Sequence, residues 1–120
     1  MKLIIAGGRG YRFTEDDKRF LDSMIHNPGI EEVVSGCCSG ADKCGEDWAE
    51  SRRIPVKRFP AQWHLYGAKA GPRRNREMAA YSDAVALFPG GAGTENMAIW
   101  AKRNGLMLYD RRSVSAESIL

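Results

Sequence analysis

The sequence predicts an α/β domain with a mainly parallel five-stranded sheet and helices on both faces. Short apolar runs rich in β-branched residues alternate with patterns of helical period, and glycine-bearing turns separate them. The chain has 120 residues, the length of one ordinary domain, and shows no internal repeat or linker. We therefore expect one domain over residues 1–110 and a C-terminal tail over 111–120.

Three strands and two helices are predicted in the first half of the chain. The strands are 2–6, 32–35 and 55–59, and the helices are 14–26 and 41–52. Thr14 is the expected N-cap of the first helix, because three acidic residues follow it at the positive end of the helix dipole. The sequence Asn27-Pro28-Gly29 then ends this helix.

The second half begins with a long connection over 60–71, which has room to fold over a site. A helix over 73–81, a strand over 84–88, a helix up to 104 and a strand over 106–109 follow. Right-handed crossovers that change face once give the expected strand order 3-2-1-4-5 and leave a crevice between the first and fourth strands.

Charge and composition exclude several classes of protein. The net charge is +3, and apolar runs are far too short to cross a membrane, so no membrane partner is expected. The chain opens on a strand without a signal-peptide pattern, which predicts a cytoplasmic protein. Its cysteines, Cys37, Cys38 and Cys44, have neither zinc spacing nor a Cys-x-x-Cys motif. We expect free thiols, no metal and no required cofactor.

Three strand-to-helix turns are rich in glycine, and all three follow the carboxyl ends of predicted strands. Backbone N–H groups and helix dipoles at this edge of a parallel sheet favour an anion such as phosphate. Glycine in each turn has an alternative explanation, tight packing alone, but three such turns together favour a ligand site. Neither a P-loop nor a complete Gly-x-Gly-x-x-Gly motif is present. The predicted ligand-binding residues are Gly7, Gly8, Arg9, Gly36, Ser39, Gly40, Arg73, Arg74, Gly90, Gly91, Gly93 and Thr94.

The motifs 89–94 (Pro-Gly-Gly-Ala-Gly-Thr) and 71–78 (Gly-Pro-Arg-Arg-Asn-Arg-Glu-Met) resemble those of the SLOG superfamily, closest to its YspA-related branch. Further landmarks of that branch occur in order along nearly the whole chain, among them 6–9 and 40–42. The resemblance implies a three-layer Rossmann-like fold. It also implies a ligand of the AMP, NAD, ADP-ribose or nucleotide-sugar class.

Distantly similar LOG-type phosphoribohydrolases cleave the base from a nucleoside monophosphate, using an arginine and the glutamate of Pro-Gly-Gly-x-Gly-Thr-x-x-Glu. Arg74 matches that arginine, whereas Met97 occupies the glutamate position. A methionine can neither carry charge nor move a proton, so hydrolysis of an N-glycosidic or phosphate-ester bond needs another group. The catalytic candidates are Arg74, Glu77 and Glu95, with Glu46 as a further substitute, and whether the protein is an enzyme stays open.

Two other functions remain open. The first is binding of single-stranded nucleic acid through the basic cluster 69–76, suggested by the pI of 8.9 and by a distant resemblance to DprA. The second is a non-catalytic homo-oligomeric interaction module, with methionine and tryptophan of the later helices at the interface. Four residues each have two predicted roles. Thr94 is an N-cap or a phosphate ligand, and Asp42 is a helix cap or a ribose contact. Trp63 and Tyr66 are loop anchors or base-stacking platforms.

Overall fold

The structure is a computed structural model that describes residues 1–113. Residues 114–120, most of the predicted tail, lie outside the described part. Five parallel strands form one sheet in the order β3-β2-β1-β4-β5, which confirms the predicted fold class and strand order. The strands are β1 (Lys2–Ala6), β2 (Glu32–Ser35), β3 (Val56–Arg58), β4 (Ala84–Leu87) and β5 (Met107–Asp110).

Helices connect the strands and cover both faces of the sheet. They are α1 (Glu15–Met24), α2 (Ala41–Ser51), α3 (Trp63–Tyr66), α4 (Ala70–Tyr81) and α5 (Ala92–Arg103). Thr14 caps α1 as predicted: its hydroxyl accepts from the Asp17 N–H at 3.1 Å, and the Asp17 carboxylate accepts from the Thr14 N–H at 2.9 Å. Within residues 1–113, no helix has both the length and the apolar character that crossing a bilayer requires.

Alternate residues of each strand point to opposite faces, and each face has its own apolar core. Leu3 and Ile5 of β1 belong to one cluster with Trp48 of α2 and the buried residues of α1. Their neighbour Ile4 belongs to the other cluster, with Met97 of α5 and the buried residues of α4. The sheet is therefore the middle of three layers, with α1 and α2 on one side and α4 and α5 on the other.

The connection after β3 differs from the prediction of an irregular loop over 60–71. It contains α3 and a short 3₁₀ turn at Gly67–Lys69, and α4 begins at Ala70, three residues earlier than predicted. Pro72 is compatible with this early start because the first turn of a helix does not use its N–H groups internally. Arg73 and Arg74 consequently lie past the first three residues of α4, where the helix dipole has less effect on a side-chain charge.

The predicted N-cap of α5 is also corrected. Gly91 is the N-cap, and Thr94 is the third residue of the helix. Farther along, Arg111 and Arg112 open the predicted tail but contact the domain. Arg111 pairs with Asp16 at 2.9 Å, and Arg112 pairs with Glu95 at 2.8 Å.

The loops after β1, β2 and β4 interlock through their backbones. The Gly8 N–H donates to the Pro89 carbonyl at 2.8 Å, and the Gly8 carbonyl accepts from the Ala41 N–H at 3.1 Å. Gly40 has a φ of +76°, and a Cβ there would lie 2.2 Å from the Gly8 carbonyl oxygen. The close approach of these loops thus requires glycine at position 40.

We expect Gly40→Ala to lower the free energy of unfolding by about 3 kcal/mol, because the new methyl group meets backbone and the φ is unfavourable for alanine. Urea unfolding measures this change. Gly10→Ala is the matched control, since a Cβ at position 10 has nothing within 4 Å. That control should stay within about 0.5 kcal/mol of the wild type. Equal stability of the two variants would contradict the interlocked arrangement.

Candidate functional site

A cleft of about 610 Å³ opens at the carboxyl edge of the sheet, between the ends of β1 and β4, where the strand order predicted a crevice. One wall consists of the loop after β1, the loop after β2 and the start of α2. The other walls are the α3–α4 segment and the first turns of α5. The lining residues are Ala6, Gly7, Gly8, Arg9, Cys38, Asp42, Trp63, Gly71, Pro72, Arg74, Asn75, Met78, Gly91, Ala92, Gly93, Thr94, Asn96 and Met97.

The first turn of α5 faces this cleft with its N–H groups unused by the helix. Ala92, Gly93 and Thr94 are the first three helical residues, so their N–H groups have no acceptor four residues earlier. Gly91, as N-cap, supplies no side-chain acceptor for them. The Thr94 hydroxyl also has no hydrogen-bond partner among residues 1–113. This segment, Gly91–Thr94, is called the α5 cradle below, and its chemistry suits an anion.

Arg74 is a buried cation in the wall that α4 contributes to the cleft. Its Nη1 donates to the Gly36 carbonyl, its Nε donates to the Asn75 side-chain oxygen at 2.9 Å, and its Nη2 makes a weak contact of 3.9 Å to the Cys38 sulfur. No carboxylate of the described residues forms an ion pair with it. A guanidinium has five N–H donors, so donors remain for a group in the cleft.

The contacts of Arg74 also explain the neighbouring glycine. A Cβ on Gly36 would lie 2.7 Å from Arg74 Nη1, so a larger residue here would displace the guanidinium from its present position. Asn75 then connects Arg74 to α5, because its side-chain amide donates to the Gly93 carbonyl at 3.3 Å and to the Asn96 side-chain oxygen at 3.1 Å. These bonds fix the guanidinium relative to the α5 cradle.

Arg9 lines the same cleft from the loop after β1. Its side chain is exposed and forms no hydrogen bond or ion pair with any of residues 1–113, whereas its backbone carbonyl accepts from the Ser39 hydroxyl. The cleft therefore contains one fixed, buried arginine and one arginine that is free to move toward a ligand. Neither charge is neutralised by an ion pair within residues 1–113.

Asp42 supplies the carboxylate of the cleft. The residue is 6% exposed, and its Oδ2 accepts from the Cys38 N–H at 3.2 Å. Burial raises the Asp42 pKa to about 6, although the Cys38 N–H, Arg74 and Arg9 act in the opposite direction; Glu46 adds to the increase. Asp42 does not cap α2, because the N-cap is Gly40 and no side chain caps it.

The remaining wall is apolar and aromatic. Met78 and Met97 are buried there, and Trp63 is 49% exposed with its ring edge 3.3 Å from the position of a Cβ on Gly71. An indole ring with one side uncovered can stack on a planar group. The sulfur-containing side chains supply a polarisable surface for the same group.

The predicted ligand-binding residues fall into two groups. Seven of them line the cleft: Gly7, Gly8, Arg9, Arg74, Gly91, Gly93 and Thr94. The other five do not. Gly36, Gly40 and Gly90 pack against neighbouring loop or side-chain atoms, and the Ser39 hydroxyl donates to the Arg9 carbonyl at 3.3 Å. Arg73 stacks on Tyr66 and lines a second pocket of about 480 Å³.

The acidic catalytic candidates lie outside the cleft. Glu77 lines the second pocket, 3.8 Å from Arg73, and Glu95 pairs with Arg112 at the surface. Glu46 is buried and accepts from the Ser35 hydroxyl at 2.6 Å. Among the catalytic candidates, Arg74 alone lines the cleft, and Asp42 is the one carboxylate among its lining residues.

Sequence reasoning missed several residues of the site. Asn75 and Asn96 position Arg74, and Cys38 contacts it, but none of the three was among the predicted ligand-binding residues. The position of Asn75 directly after the matched arginine was the available signal. Cys38 lies in the glycine-rich turn 36–40, but its contact with Arg74 depends on how α4 packs against that turn. For Asn96 the sequence carried no signal, because its role depends on the contact between α4 and α5.

A doubly wound α/β domain with a cleft at its switch point is the class that fold and site define. A protein-family model described as "YspA, cpYpsA-related SLOG family" matches residues 1–66, more than half of the chain, and the chain belongs to this family. Membership suggests nucleotide-related binding or metabolism as the general function. No curated protein and no solved structure matches the sequence.

The raised pKa of Asp42 predicts a specific pH dependence of stability. Between pH 4 and pH 6 the folded protein keeps a proton that the unfolded chain has released, so the free energy of unfolding falls as the pH rises. This contribution is up to about 3 kcal/mol. Asp42→Asn should remove it, which urea unfolding from pH 4 to pH 7 would show as a flatter profile than that of the wild type.

Asp47→Asn is the control for this measurement, because Asp47 lies on the exposed side of α2 and pairs with Lys43. It should keep the wild-type slope. A slope that is the same in Asp42→Asn and the wild type would show that Asp42 titrates normally in the folded protein.

Proposed function

We propose that this protein binds a nucleotide or nucleotide-derived ligand in the cleft, with a phosphate at the α5 cradle and the base against Trp63. One observation carries the proposal. The uncapped N–H groups of the α5 cradle line the same cleft as two arginines, Arg9 and Arg74, that form no ion pair within residues 1–113.

A phosphate satisfies the electrostatics of this arrangement. Burying the Arg74 guanidinium without a direct ion pair is costly, and a bound anion offsets that cost. Guanidinium groups match phosphate oxygens in geometry and form strong charge-assisted hydrogen bonds with them. The N–H groups of the α5 cradle contribute further donors, and the Thr94 hydroxyl can donate as well.

The rest of the cleft fits a nucleoside. Its volume of about 610 Å³ is within the range of small-molecule sites. Trp63, Met78 and Met97 supply an apolar surface for a base, next to the polar surface that holds the phosphate. This combination favours a nucleotide over an inorganic anion.

Binding is proposed as the primary function and hydrolysis as a secondary one. Met97 lies in the cleft wall where the LOG-type enzymes have a glutamate, and the candidates Glu77 and Glu95 lie elsewhere. The available acid–base group is Asp42, whose pKa of about 6 suits proton transfer near neutral pH. Mass spectrometry of nucleotides incubated with the protein tests for a released base or phosphate.

Single-stranded nucleic acid is the second candidate ligand, and the second pocket is the observation in its favour. Lys57, Arg58 and Arg73 line that pocket together with Glu77. The basic cluster 69–76 does not form one surface, however, because Arg74 is buried and Arg76 lies over Trp100. Salt-sensitive oligonucleotide binding that weakens in Arg73→Ala would support this candidate.

We expect Arg9→Ala to weaken nucleotide binding by about tenfold, because one charge-assisted hydrogen bond to phosphate is lost. Isothermal titration calorimetry with AMP, NAD and ADP-ribose measures the affinity. Arg12→Ala removes an equal charge three residues away at an exposed position that does not line the cleft, and it should bind as the wild type does.

Arg74→Lys should weaken binding more than Arg9→Ala does, because an ammonium group cannot reproduce the fixed fork of donors. Circular dichroism and urea unfolding show whether this variant keeps the fold. Equal losses in Arg9→Ala and Arg12→Ala would reduce the effect to general charge and contradict the proposed phosphate position.

A further inference from the structure

We propose that Asp42 accepts a hydrogen bond from a sugar hydroxyl of the ligand, so that the cleft selects ribonucleotides over deoxyribonucleotides. This inference rests on the proposed nucleotide function. It assigns a specificity-determining role to a residue that the fold alone does not need as a helix cap.

Only one of the two oxygens of the Asp42 carboxylate accepts a hydrogen bond from the described residues. Oδ2 accepts from the Cys38 N–H at 3.2 Å, whereas Oδ1 has no donor among residues 1–113. Among the described residues, two side-chain atoms are fully enclosed and have no partner, Ser82 Oγ and Arg111 Nε. Asp42 Oδ1 is not one of them, so part of its surface stays accessible. Because Asp42 is 6% exposed and lines the cleft, we assign its remaining access to the cleft.

A buried acceptor of this kind favours a neutral donor. An ionised carboxylate accepts hydrogen bonds and repels a second anionic group, so a phosphate oxygen is a poor partner for Oδ1. The charged groups that act on Asp42 are Arg74, Glu46 and Arg9, and the two arginines help to keep it ionised at neutral pH. A hydroxyl group supplies the missing donor without adding charge.

The position of Asp42 relative to the α5 cradle fits the two ends of a ribose phosphate. Asp42 comes from the start of α2, and the cradle comes from the start of α5, on the other face of the sheet. Arg74 bridges the two sides, because it contacts Gly36 in the loop before α2 and reaches α5 through Asn75. A ligand with phosphate at the cradle can therefore extend its sugar hydroxyls toward Asp42.

The experiment compares the affinities of ribonucleoside, 2′-deoxy and 3′-deoxy 5′-monophosphates by calorimetry at pH 7.5, using all four bases. The wild type should prefer the ribo form of the bound nucleotide over at least one deoxy form by about 10- to 100-fold, the effect of one hydrogen bond to a charged group. Asp42→Ala should lose this preference and bind the deoxy form more tightly, because a negative charge is removed beside the anion.

Asp42→Asn keeps the shape and one acceptor oxygen, so it should retain a reduced preference. Asp47→Ala removes a carboxylate from the exposed side of α2 and should keep the full preference of the wild type. These two variants separate a hydrogen bond made by Asp42 from a general effect of charge on α2.

The outcomes distinguish this inference from the proposed function. Equal affinity of the wild type for ribo and deoxy forms, with Arg9→Ala still weakening both, would overturn the role of Asp42 and leave the phosphate site standing. A ribo preference that survives in Asp42→Ala would also overturn it. No binding of any nucleotide would overturn the proposed function together with this inference.

Discussion

The arrangement of the site depends on the backbone contacts that Gly8 makes at the carboxyl edge of the sheet. Gly8 joins the loop after β1 to Pro89 on one side and to Ala41 on the other, which brings the starts of α2 and α5 together. Gly40 permits this approach because no Cβ stands between the loops. The cleft forms because α2 and α5, which lie on opposite faces of the sheet, both begin next to the carboxyl end of β1. Any ligand site built here consequently draws residues from both layers of helices.

Arg74 connects this backbone arrangement to chemistry. It crosses from α4 to the Gly36 carbonyl and is held by Asn75, so its position is set by two elements and not by a flexible loop. Such a group is preorganised, since ligand binding does not have to order it. Arg9 differs because its side chain is exposed and has no hydrogen bond or ion pair within residues 1–113, so it can follow the ligand. The pairing of one fixed and one mobile cation is suited to binding a small anion that enters from solvent.

Much of the fold could be predicted from the sequence because hydrophobic period and glycine turns mark a βαβ chain strongly. The strand order followed from the handedness of the crossovers, and Thr14, as the N-cap, marked the start of α1. The early start of α4 was not predicted, because Gly71-Pro72 usually interrupts a helix and is tolerated only in its first turn. At the site, glycine pattern identified the right edge of the sheet but could not separate glycines that line the cleft from those, such as Gly36, that make room for a side chain. That distinction depends on contacts between residues far apart in sequence.

The central claim is that a phosphate occupies the α5 cradle. Titration of ¹⁵N-labelled protein with nucleoside monophosphates, followed by amide NMR, tests it directly. The account predicts that the amide signals of Ala92, Gly93 and Thr94 shift furthest, in the direction of stronger hydrogen bonding, and that Trp63 responds in the same titration. Shifts concentrated at the second pocket, around Lys57 and Arg73, would contradict the account, and so would amide signals that do not respond to any nucleotide.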